Sequence, residues 1–547
     1  MTIVGAPRAF LGLIAVAAIS ALLATACGGG GGGAGGPGKR RTILLSTEYD
    51  DAAVGEQAAL EIEAEMGIYK NAALTDYVSE VGRRLVAYAP LRTFQYEFKV
   101  VDQMAPNAFA LPGGHIYVSR GLLALADNEA ELAGVLGHEI IHSAERHASA
   151  QQELARRTSP FLMPYIRMAR LAGYSRDHER SADKGGQLIA AKAGYDPAGL
   201  TDFLKRLGDT ERLTIGYSRL PSYFDTHPGT TERVASTASR AMTLDWTPDP
   251  MRSADRESYL KRVESVVLDV DPAEGIFHET EFIHPDLDFR ILFPRGWGLV
   301  NTHQAVGAIS PDGNARIFMT LEPPLKKGDA AGGEPPPGDG PSTPAPPEAA
   351  GSAEAAPPRM PTAREAADRF ITNRGDEFEI GVEREGLVQI GDIEAPRIDF
   401  RGRMGTASVA GQVTFIPHDD FVFRLMSIAT SGAWSNYVGR AHTTARTFRR
   451  LSDDERRGVQ VLHLRVVRAM EGENIASLSQ RTANAWGPGR TAVLNGVFVD
   501  AHFEEGQLVK IARAVPYTPR DDDSLRSLTP ADENNPEAAP GAVPLSS

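Results

Sequence analysis

Two histidines and a glutamate stand close together in the sequence, with the spacing of a metal-binding motif. The stretch from His138 to His142 reads His-Glu-Ile-Ile-His, which is an H-E-x-x-H pattern. Residues four apart on an α-helix lie on the same face, so His138 and His142 can hold one metal ion between them. Glu139 is rotated by about 100°, close enough for its carboxylate to reach a water on that metal. Imidazoles suit Zn²⁺, which lowers the pKa of such a water so that the carboxylate can take its proton.

A helix must present this motif, and the flanking residues predict one. The segment 127–129 has the composition of a helix start, and apolar residues follow it at helical spacing. These apolar residues are Leu132, Val135, Leu136, Ile140 and Ile141. A surface helix that carries two histidines by chance is the alternative, but it would not need this apolar stripe. We therefore predict a buried helix that binds one Zn²⁺ per chain.

The residues directly after the motif do not supply a third ligand. In the H-E-x-x-H-x-x-G-x-x-H arrangement a glycine and a third histidine follow, but Glu145 and Ala148 stand at those positions. His147 is one residue out of phase. The third ligand is therefore expected further along the chain.

Glu179 and Asp183 are the better candidates for completing the metal site. They lie in a second predicted helix that runs to about Ala193, and their spacing places them on one face. One carboxylate can bind zinc while the other orients a ligand histidine through a hydrogen bond. Acidic residues also favour helix starts, so spacing alone leaves a solvated, charged helix start as the alternative.

Four motifs in this order carry a resemblance to a known family. They are residues 107–114, the H-E-x-x-H motif, Glu179-x-x-x-Asp183, and Thr226-His227-Pro228 with Arg233. Together they resemble the gluzincin family of HtpX-type and BepA-type envelope proteases, to which the CAAX prenyl proteases also belong. The resemblance covers roughly residues 49–239. It implies that the zinc ligands are His138, His142 and Glu179 and that the general base is Glu139.

The resemblance also suggests where substrate binds. Zinc proteases commonly hold substrate as an added strand at a sheet edge beside the metal. The strand that begins at His115 is the candidate edge, and an ordinary structural hairpin around Pro112-Gly113-Gly114 is the alternative. The predicted substrate-binding residues are Asn107, Ala108, His115, Ile116 and Tyr117.

His227 has two possible active roles. Pro228 biases it towards an extended conformation, so it should stand on a loop ahead of a helix that begins near Thr230 and carries Arg233. It can donate a hydrogen bond to the oxyanion of the tetrahedral intermediate, with Arg233 supporting it. Alternatively, it occupies the fourth coordination position of the zinc and keeps the enzyme inactive, as the resemblance to BepA-type proteases implies. A capping or packing histidine is the third reading.

Length, charge and cysteine content limit the number of domains and argue against nucleic-acid-binding and disulfide-bonded classes of protein. The chain has 547 residues, enough for two to four domains, and a net charge of −14, which argues against nucleic acid as a partner. Its apolar content of 42 % is that of an ordinary globular protein. It has a single cysteine, so no intramolecular disulfide forms.

The N-terminus has the pattern of a bacterial lipoprotein signal. Arg8 precedes an apolar run that ends at Ala24-Thr25-Ala26-Cys27, where a lipoprotein is cleaved and lipidated. Ordinary cleavage after Ala26 and a retained membrane anchor are the alternatives. A glycine-rich stretch follows and predicts a flexible tether. These features predict a protein that is lipid-anchored through Cys27 in the bacterial envelope and faces the periplasm.

The overall prediction is an α+β chain. A mainly helical zincin-type protease domain with a small edge sheet comes first, then an α+β domain whose Phe-Pro-x-Gly-Trp opening resembles PsbP-like domains. A small strand–helix–helix–strand module resembles LysM modules, which bind N-acetylglucosamine polymers such as peptidoglycan. The predicted segments are a signal peptide (1–27), a tether (28–48), the protease domain (49–245), the α+β domain (281–450) with a disordered insert (323–362), the LysM-like module (463–514) and a disordered tail (515–547).

Two functions from different classes fit the sequence. The first is a zinc metalloendopeptidase of the cell envelope that cleaves misfolded or mislocalised proteins. The second is a zinc-stabilised chaperone, or an adaptor that tethers partners to peptidoglycan through residues 281–514. The intact Glu139 favours the protease, because a binding protein has no use for a general base. A cytosolic regulatory protein conflicts with the N-terminal signal.

Overall fold

Two compact units make up the chain in a computed structural model. The model describes residues 48–147, 175–213, 223, 227, 230–249, 256–325, 359–372, 379–404 and 407–520. The predicted signal with Cys27, the tether, the tail beyond residue 520 and most of the predicted insert lie outside these residues. Both units contain helices and sheets, which confirms the mixed α+β class. No helix within the described ranges is long and apolar enough to cross a membrane.

The first unit contains the predicted protease segment. Its helices are α1 (Glu48–Met66), α2 (Ala72–Val86), α3 (Arg120–Leu125), α4 (Glu129–Ala144), α5 (Arg176–Lys192), α6 (Gly199–Leu213), α7 (Thr230–Ala241) and α8 (Arg256–Val263). Its first sheet is formed by β1 (Glu97–Val101), β2 (Ala108–Ala110) and β3 (His115–Ser119). One continuous core lies between α2, α4, α5 and α6 and contains most of the apolar side chains of α4.

The order of strands in this sheet corrects one prediction. The order is β1-β3-β2, so β3 is the central strand, paired in parallel with β1 and antiparallel with β2. Its backbone groups are already used on both sides, and His115, Ile116 and Tyr117 therefore cannot take up a substrate as an added strand. Tyr117 is fully buried, and its hydroxyl donates to Glu63 Oε1 (2.7 Å). Of the two strands of the hairpin, β2 is the one that lies at the edge of the sheet.

Glycines allow the two helices of the predicted metal site to cross closely. A Cβ on Gly137 of α4 would lie 2.8 Å from the carbonyl oxygen of Gly186 on α5, and one on Gly186 would lie 2.7 Å from the nitrogen of His138. Larger residues at either position would push the helices apart. The glycine pair thus brings the acidic face of α5 against the histidines of α4.

The second unit is built on an antiparallel sheet. Its strands are β4 (Ile276–His278), β5 (Glu281–His284), β6 (Phe289–Leu292), β7 (Gly298–Asn301), β8 (Val306–Ile309), β9 (Ala315–Leu321), β10 (Glu379–Ile390), β11 (Ile393–Met404), β12 (Ala407–His418) and β13 (Phe421–Thr430). The larger sheet has the order β10-β11-β12-β13-β9-β8-β7, and β4, β5 and β6 form a small sheet of their own. Helices α9 (Ala363–Thr372) and α10 (Trp434–Arg446) pack against the larger sheet.

The C-terminal segment returns to the first unit. It contains α11 (Asp453–Gly458), β14 (Gln460–Arg468), α12 (Ile475–Thr482), α13 (Pro488–Asn495) and β15 (Leu508–Pro516), and β14 pairs antiparallel with β15. Residues 451–518 cluster with the protease segment as one compact unit. Four of its apolar residues belong to the same core as α4, namely Leu464, Trp486, Leu494 and Ala512.

Candidate metal centre

Helix α4 presents the H-E-x-x-H residues to a fully buried site. Asn128 caps the helix by accepting a hydrogen bond from the Glu131 nitrogen, and Glu129 and Glu131 stand in the first turn. Two and three turns further on, His138 and His142 point the same way, with their Nε2 atoms 2.9 Å apart. Neither side chain is exposed. The predicted buried helix with two histidines on one face is therefore present.

Helix α5 supplies a carboxylate to the same point. Glu179 Oε1 lies 3.4 Å from His142 Nε2, and Oε2 lies 3.6 Å from His138 Nε2. Burial alone would raise the pKa of Glu179, but the neighbouring His227 and His142 lower it by more. The net shift of the pKa is therefore downward, and the group is a carboxylate.

A fourth donor comes from His227, ahead of α7. His227 Nδ1 lies 3.2 Å from His138 Nε2 and 3.0 Å from Glu179 Oε1. One donor atom from each of the four residues lies within 4.8 Å of the others. Ligand atoms on one tetrahedral zinc, bound at about 2.0–2.1 Å, are about 3.3–3.4 Å apart. The donor types and spacing therefore fit a single zinc ion.

Asp183 and Arg233 hold these donors in place. Asp183 Oδ1 lies 2.9 Å from His138 Nδ1, which leaves His138 Nε2 to face the other donors. Arg233 donates to both Asp183 oxygens (2.9 and 2.7 Å) and pairs with Glu179 Oε2 (2.7 Å). Burial raises the pKa of Asp183, and Arg233 with His138 lowers it to about 2.

Glu139 stands beside the donors and has no hydrogen-bond partner among the residues that the structure describes. Its side chain is fully buried, and neither carboxylate oxygen accepts a hydrogen bond from the residues that the structure describes. Nε2 of His227 lies 3.4 Å from Glu139 Oε1. Burial raises the pKa of Glu139. Such an unsatisfied buried carboxylate is costly for the fold and is typical of a group that meets water or substrate.

Two residues of the site were missed by sequence reasoning. His147 Nδ1 lies 3.0 Å from His142 Nδ1, so this histidine is one that orients a ligand histidine from behind. The Tyr223 ring stacks on the His227 ring with centroids 4.2 Å apart. His147 carries a signal in its position five residues after His142, whereas nothing in the sequence around Tyr223 indicates its role.

The predicted substrate residues divide between two strands. Asn107 and Ala108 lie at the start of the edge strand β2 and are fully buried, and the Asn107 nitrogen donates to Ser119 Oγ (2.8 Å). The Tyr223 nitrogen donates to the carbonyl oxygen of Pro106 (3.1 Å), directly ahead of that strand. His115, on the central strand, pairs with Glu97 through its Nδ1 (3.0 Å).

The comparisons with known proteins find similarity to peptidases in this region. Residues 72–241 match the model of peptidase family M48. The beta-barrel assembly-enhancing protease of Yersinia pestis is 29 % identical over 234 residues, which cover 38 % of this chain and 47 % of that protein. The Escherichia coli K12 protein of the same name is 28 % identical over 212 residues, 34 % of this chain and 43 % of that protein.

A mitochondrial relative matches the same part of the chain. The mitochondrial metalloendopeptidase OMA1 of Schizosaccharomyces pombe is 30 % identical over 177 residues, 29 % of this chain and 51 % of that protein. The chain thus spans about half, or less, of these three relatives. Together the matches support a metallopeptidase domain of the M48 type and are consistent with a metal ion at the buried cluster.

A solved structure covers about a third of the chain at low similarity. The solution structure of a cyanobacterial PsbP from Synechocystis covers 32 % of this chain and 95 % of its own, at 9 % identity and a TM-score of 0.22. A TM-score this low carries no argument about function.

Proposed function

We propose that this protein is a zinc-dependent metalloendopeptidase of the bacterial cell envelope that hydrolyses peptide bonds in misfolded or mislocalised proteins. The observation that carries the proposal is the buried cluster of His138, His142 and Glu179 beside the carboxylate of Glu139, which has no hydrogen-bond partner within the described part of the chain. The similarity to proteins named beta-barrel assembly-enhancing protease supports the protease activity. The location and the substrate class are proposed from the N-terminal signal and the family resemblance of the sequence. Cleavage of casein by the wild-type chain, compared with Glu139→Gln, tests the activity.

The chain's own residues divide the work of hydrolysis. When bound, zinc supplies Lewis acidity that polarises the peptide carbonyl and acidifies water. Glu139 takes a proton from the attacking water and returns it to the leaving amine. Asp183 holds His138 in the orientation that directs Nε2 into the site, and Arg233 balances the charge of Glu179 and Asp183. The buried position of these groups excludes bulk water and strengthens each electrostatic contact.

Substrate is proposed to bind along β2. This strand forms the edge of the sheet order β1-β3-β2, and Asn107 and Ala108 lie at its start. The Tyr223 nitrogen already bonds to Pro106, and the His227 nitrogen donates to the Tyr223 carbonyl oxygen (2.8 Å). A peptide that pairs with Pro106 at the start of β2 must therefore displace the Tyr223 nitrogen, and Tyr223 is in turn bonded to His227.

His227 is proposed to act as a gate, and His227→Ala is expected to raise basal casein cleavage. Its Nδ1 lies among the other donor atoms, where it competes with water for the open coordination position. A rise of about tenfold would correspond to about 1.4 kcal/mol of preference for the closed arrangement. Initial rates of the wild type and the variant, at equal zinc content, measure the effect.

The sign of the His227 effect separates the two active roles. A lower rate in His227→Ala would instead identify a donor to the oxyanion, and an unchanged rate with unchanged zinc would leave only packing. His278→Ala, which removes an exposed histidine of the second unit, is the control and should leave the rate unaltered.

Lipid anchoring through Cys27 is proposed from the sequence, and Cys27→Ser is expected to release the protein from membranes. Several acyl chains on one cysteine would anchor the protein stably. Fractionation of cells followed by detection of the chain measures the change, with Thr42→Ser as the control outside the signal. A Cys27→Ser protein that stays with the membrane would point to a retained N-terminal helix.

Peptidoglycan is proposed as a partner of residues 463–514. The observed order β14-α12-α13-β15 agrees with a LysM-like module, and the loops at one end are joined by the Phe503 nitrogen, which donates to the Glu473 carbonyl oxygen (2.8 Å). Phe498 is 83 % exposed in one of these loops, and an exposed ring of this kind suits a sugar face. Co-sedimentation with insoluble peptidoglycan measures this binding.

A further inference from the structure

Lys510 on β15 is buried against the protease part of the first unit. Its side chain is not exposed to solvent, although the adjacent Val509 and Ile511 belong to the module core and successive side chains of a strand face opposite sides. Its ammonium group donates to the carbonyl oxygens of Leu125 (3.0 Å) and Ala126 (3.1 Å). A buried lysine is rare unless its charge is matched by specific partners.

The partners of Lys510 belong to the end of α3. A helix leaves its last carbonyl groups without intrahelical donors, and its C-terminus carries partial negative charge. Lys510 satisfies these carbonyls and lies 3.4 Å from Asp127 Oδ1. Burial lowers the pKa of Lys510 to about 8, although Asp127 opposes that shift.

Asp127 links this contact to the first turn of the metal-binding helix α4. The Asp127 nitrogen donates to Glu131 Oε2 (3.0 Å), and Arg206 Nη2 donates to Glu131 Oε1 (3.0 Å). Arg256 donates to both Asp127 oxygens (2.7 and 3.0 Å) and to the Leu508 carbonyl oxygen of β15 (2.8 Å). Arg206 of α6 and Arg256 of α8 therefore also support the connection between β15 and the first turn of α4.

The other end of α3 is held by a segment that pairs with β14. Arg120, the first residue of α3, donates to the carbonyl oxygens of Val267 and Asp269 (2.5 and 2.7 Å). The segment that contains Val267 pairs with β14 through the Ser265 nitrogen to the Leu464 carbonyl and the Leu464 nitrogen to the Val266 carbonyl, both at 2.8 Å. The short helix that precedes α4 is thus fixed at both ends by contacts that lead to the C-terminal segment.

We propose that Lys510 is a positioning residue for the metal centre, and that the C-terminal strands are part of the catalytic unit rather than a separable binding module. Lys510 fixes the α3 terminus and Asp127, and these fix the start of α4, on which His138 and His142 lie two and three turns later. The inference rests on the proposed function in that α4 is taken as the metal-binding helix.

Hydrogen exchange of the metal-free full chain tests the proposal without relying on activity. Lys510→Met keeps the length of the side chain but removes its charge and its donors. We expect amide exchange across residues 130–137 of α4 to rise about tenfold, because the first turn loses its support. Lys510→Arg retains the charge and should restore much of the protection. In the cobalt-loaded protein, Lys510→Met should also change the visible spectrum of the bound ion.

Two variants separate positioning from general destabilisation. Val509→Ala damages the module core next to Lys510 and should raise exchange within residues 460–516 only, while Lys261→Met removes an exposed lysine and should change neither region. Exchange in α4 that is unchanged by Lys510→Met, or raised equally by Val509→Ala, would overturn the proposal.

A milder variant keeps the test decisive if Lys510→Met does not fold. Arg256→Met removes donors to Asp127 and Leu508 from a partly exposed position and should raise α4 exchange to a smaller degree. Unchanged α4 exchange in that variant would overturn the proposal. Failure of the protease assignment would appear elsewhere, as equal casein cleavage by wild type and Glu139→Gln, with the exchange result unaffected.

Discussion

Glu139→Gln is expected to lower the rate of casein hydrolysis about 10²–10⁴-fold while leaving zinc content unchanged. The glutamine side chain has nearly the same shape but cannot take up a proton. Glu139 is not one of the four donor residues that converge on the site, and its Oε1 lies 3.4 Å from His227 Nε2. The loss should therefore fall on kcat, with binding of metal and peptide preserved.

The same substitution should leave the fold intact. Glu139 buries a carboxylate that accepts no hydrogen bond from the described residues, and burial raises its pKa. A neutral amide is less costly to bury than an unpaired charge, so the melting temperature of Glu139→Gln should equal or exceed that of the wild type. A loss of activity with an unchanged melting temperature then cannot be attributed to unfolding.

Zinc content, melting temperature and casein cleavage of the purified full chain together measure this result. Glu56→Gln, which alters an exposed glutamate of α1, is the control and should behave like the wild type. Equal cleavage by wild type and Glu139→Gln would remove the protease assignment. A zinc-stabilised chaperone or peptidoglycan-tethering adaptor would then be the better reading of the chain, because neither needs a general base.

The metal-binding helices could be predicted because their signals are local. The H-E-x-x-H spacing, the apolar stripe of α4 and the Glu179–Asp183 spacing each lie within a few turns of one helix. The resemblance then connected Glu179 to the histidines. The role of His147 was not predicted, because spacing shows only whether a histidine can be a metal ligand. It does not show whether a histidine contacts the second ring nitrogen of a ligand histidine.

Strand order could not be read from the same signals. The hairpin of β2 and β3 is visible in the glycine turn at Gly113-Gly114, but the parallel partner β1 comes from an earlier segment, and nothing in the hairpin reveals it. Lys510 shows a related limit. The alternation Val509-Lys510-Ile511 is typical of a strand with one polar face, yet all three residues are buried, and Lys510 Nζ donates to the Leu125 carbonyl oxygen at the end of α3. Helix α9 was not among the predicted elements, although the Thr362–Glu365 capping box is a local signal for its start.

Glu179→Ala is expected to abolish stable zinc binding and, with it, proteolysis. The carboxylate is the only acidic group among the donors that converge in the described site, and its removal leaves three imidazoles. The Arg233 guanidinium pairs with two carboxylates of the site, Glu179 (Oε2, 2.7 Å) and Asp183 (Oδ1, 2.7 Å). The substitution removes the first of these partners. An unbalanced buried cation near the metal would oppose binding of a divalent ion.

Asp183→Asn is the graded companion to this variant and should weaken zinc binding about 10–100-fold rather than abolish it. The asparagine oxygen can still accept from His138 Nδ1, which Asp183 Oδ1 now meets at 2.9 Å. Its amide nitrogen, however, would face a guanidinium donor of Arg233 where a carboxylate oxygen now accepts. The His138 ring should thus keep its orientation while the support from Arg233 is lost.

Competition between the full chain and a chromogenic zinc chelator ranks the affinities as wild type, Asp183→Asn and Glu179→Ala. Asp177→Ala is the matched control, because this exposed acidic residue lies in the first turn of the same helix α5 and pairs only with Arg180 among the described charges. It should bind zinc like the wild type. If Glu179→Ala also does so, the third ligand is not Glu179, and His227 with His138 and His142 would form the site instead; the double variant Glu179→Ala/His227→Ala would then lose zinc, since two imidazoles on one helix hold the ion only weakly.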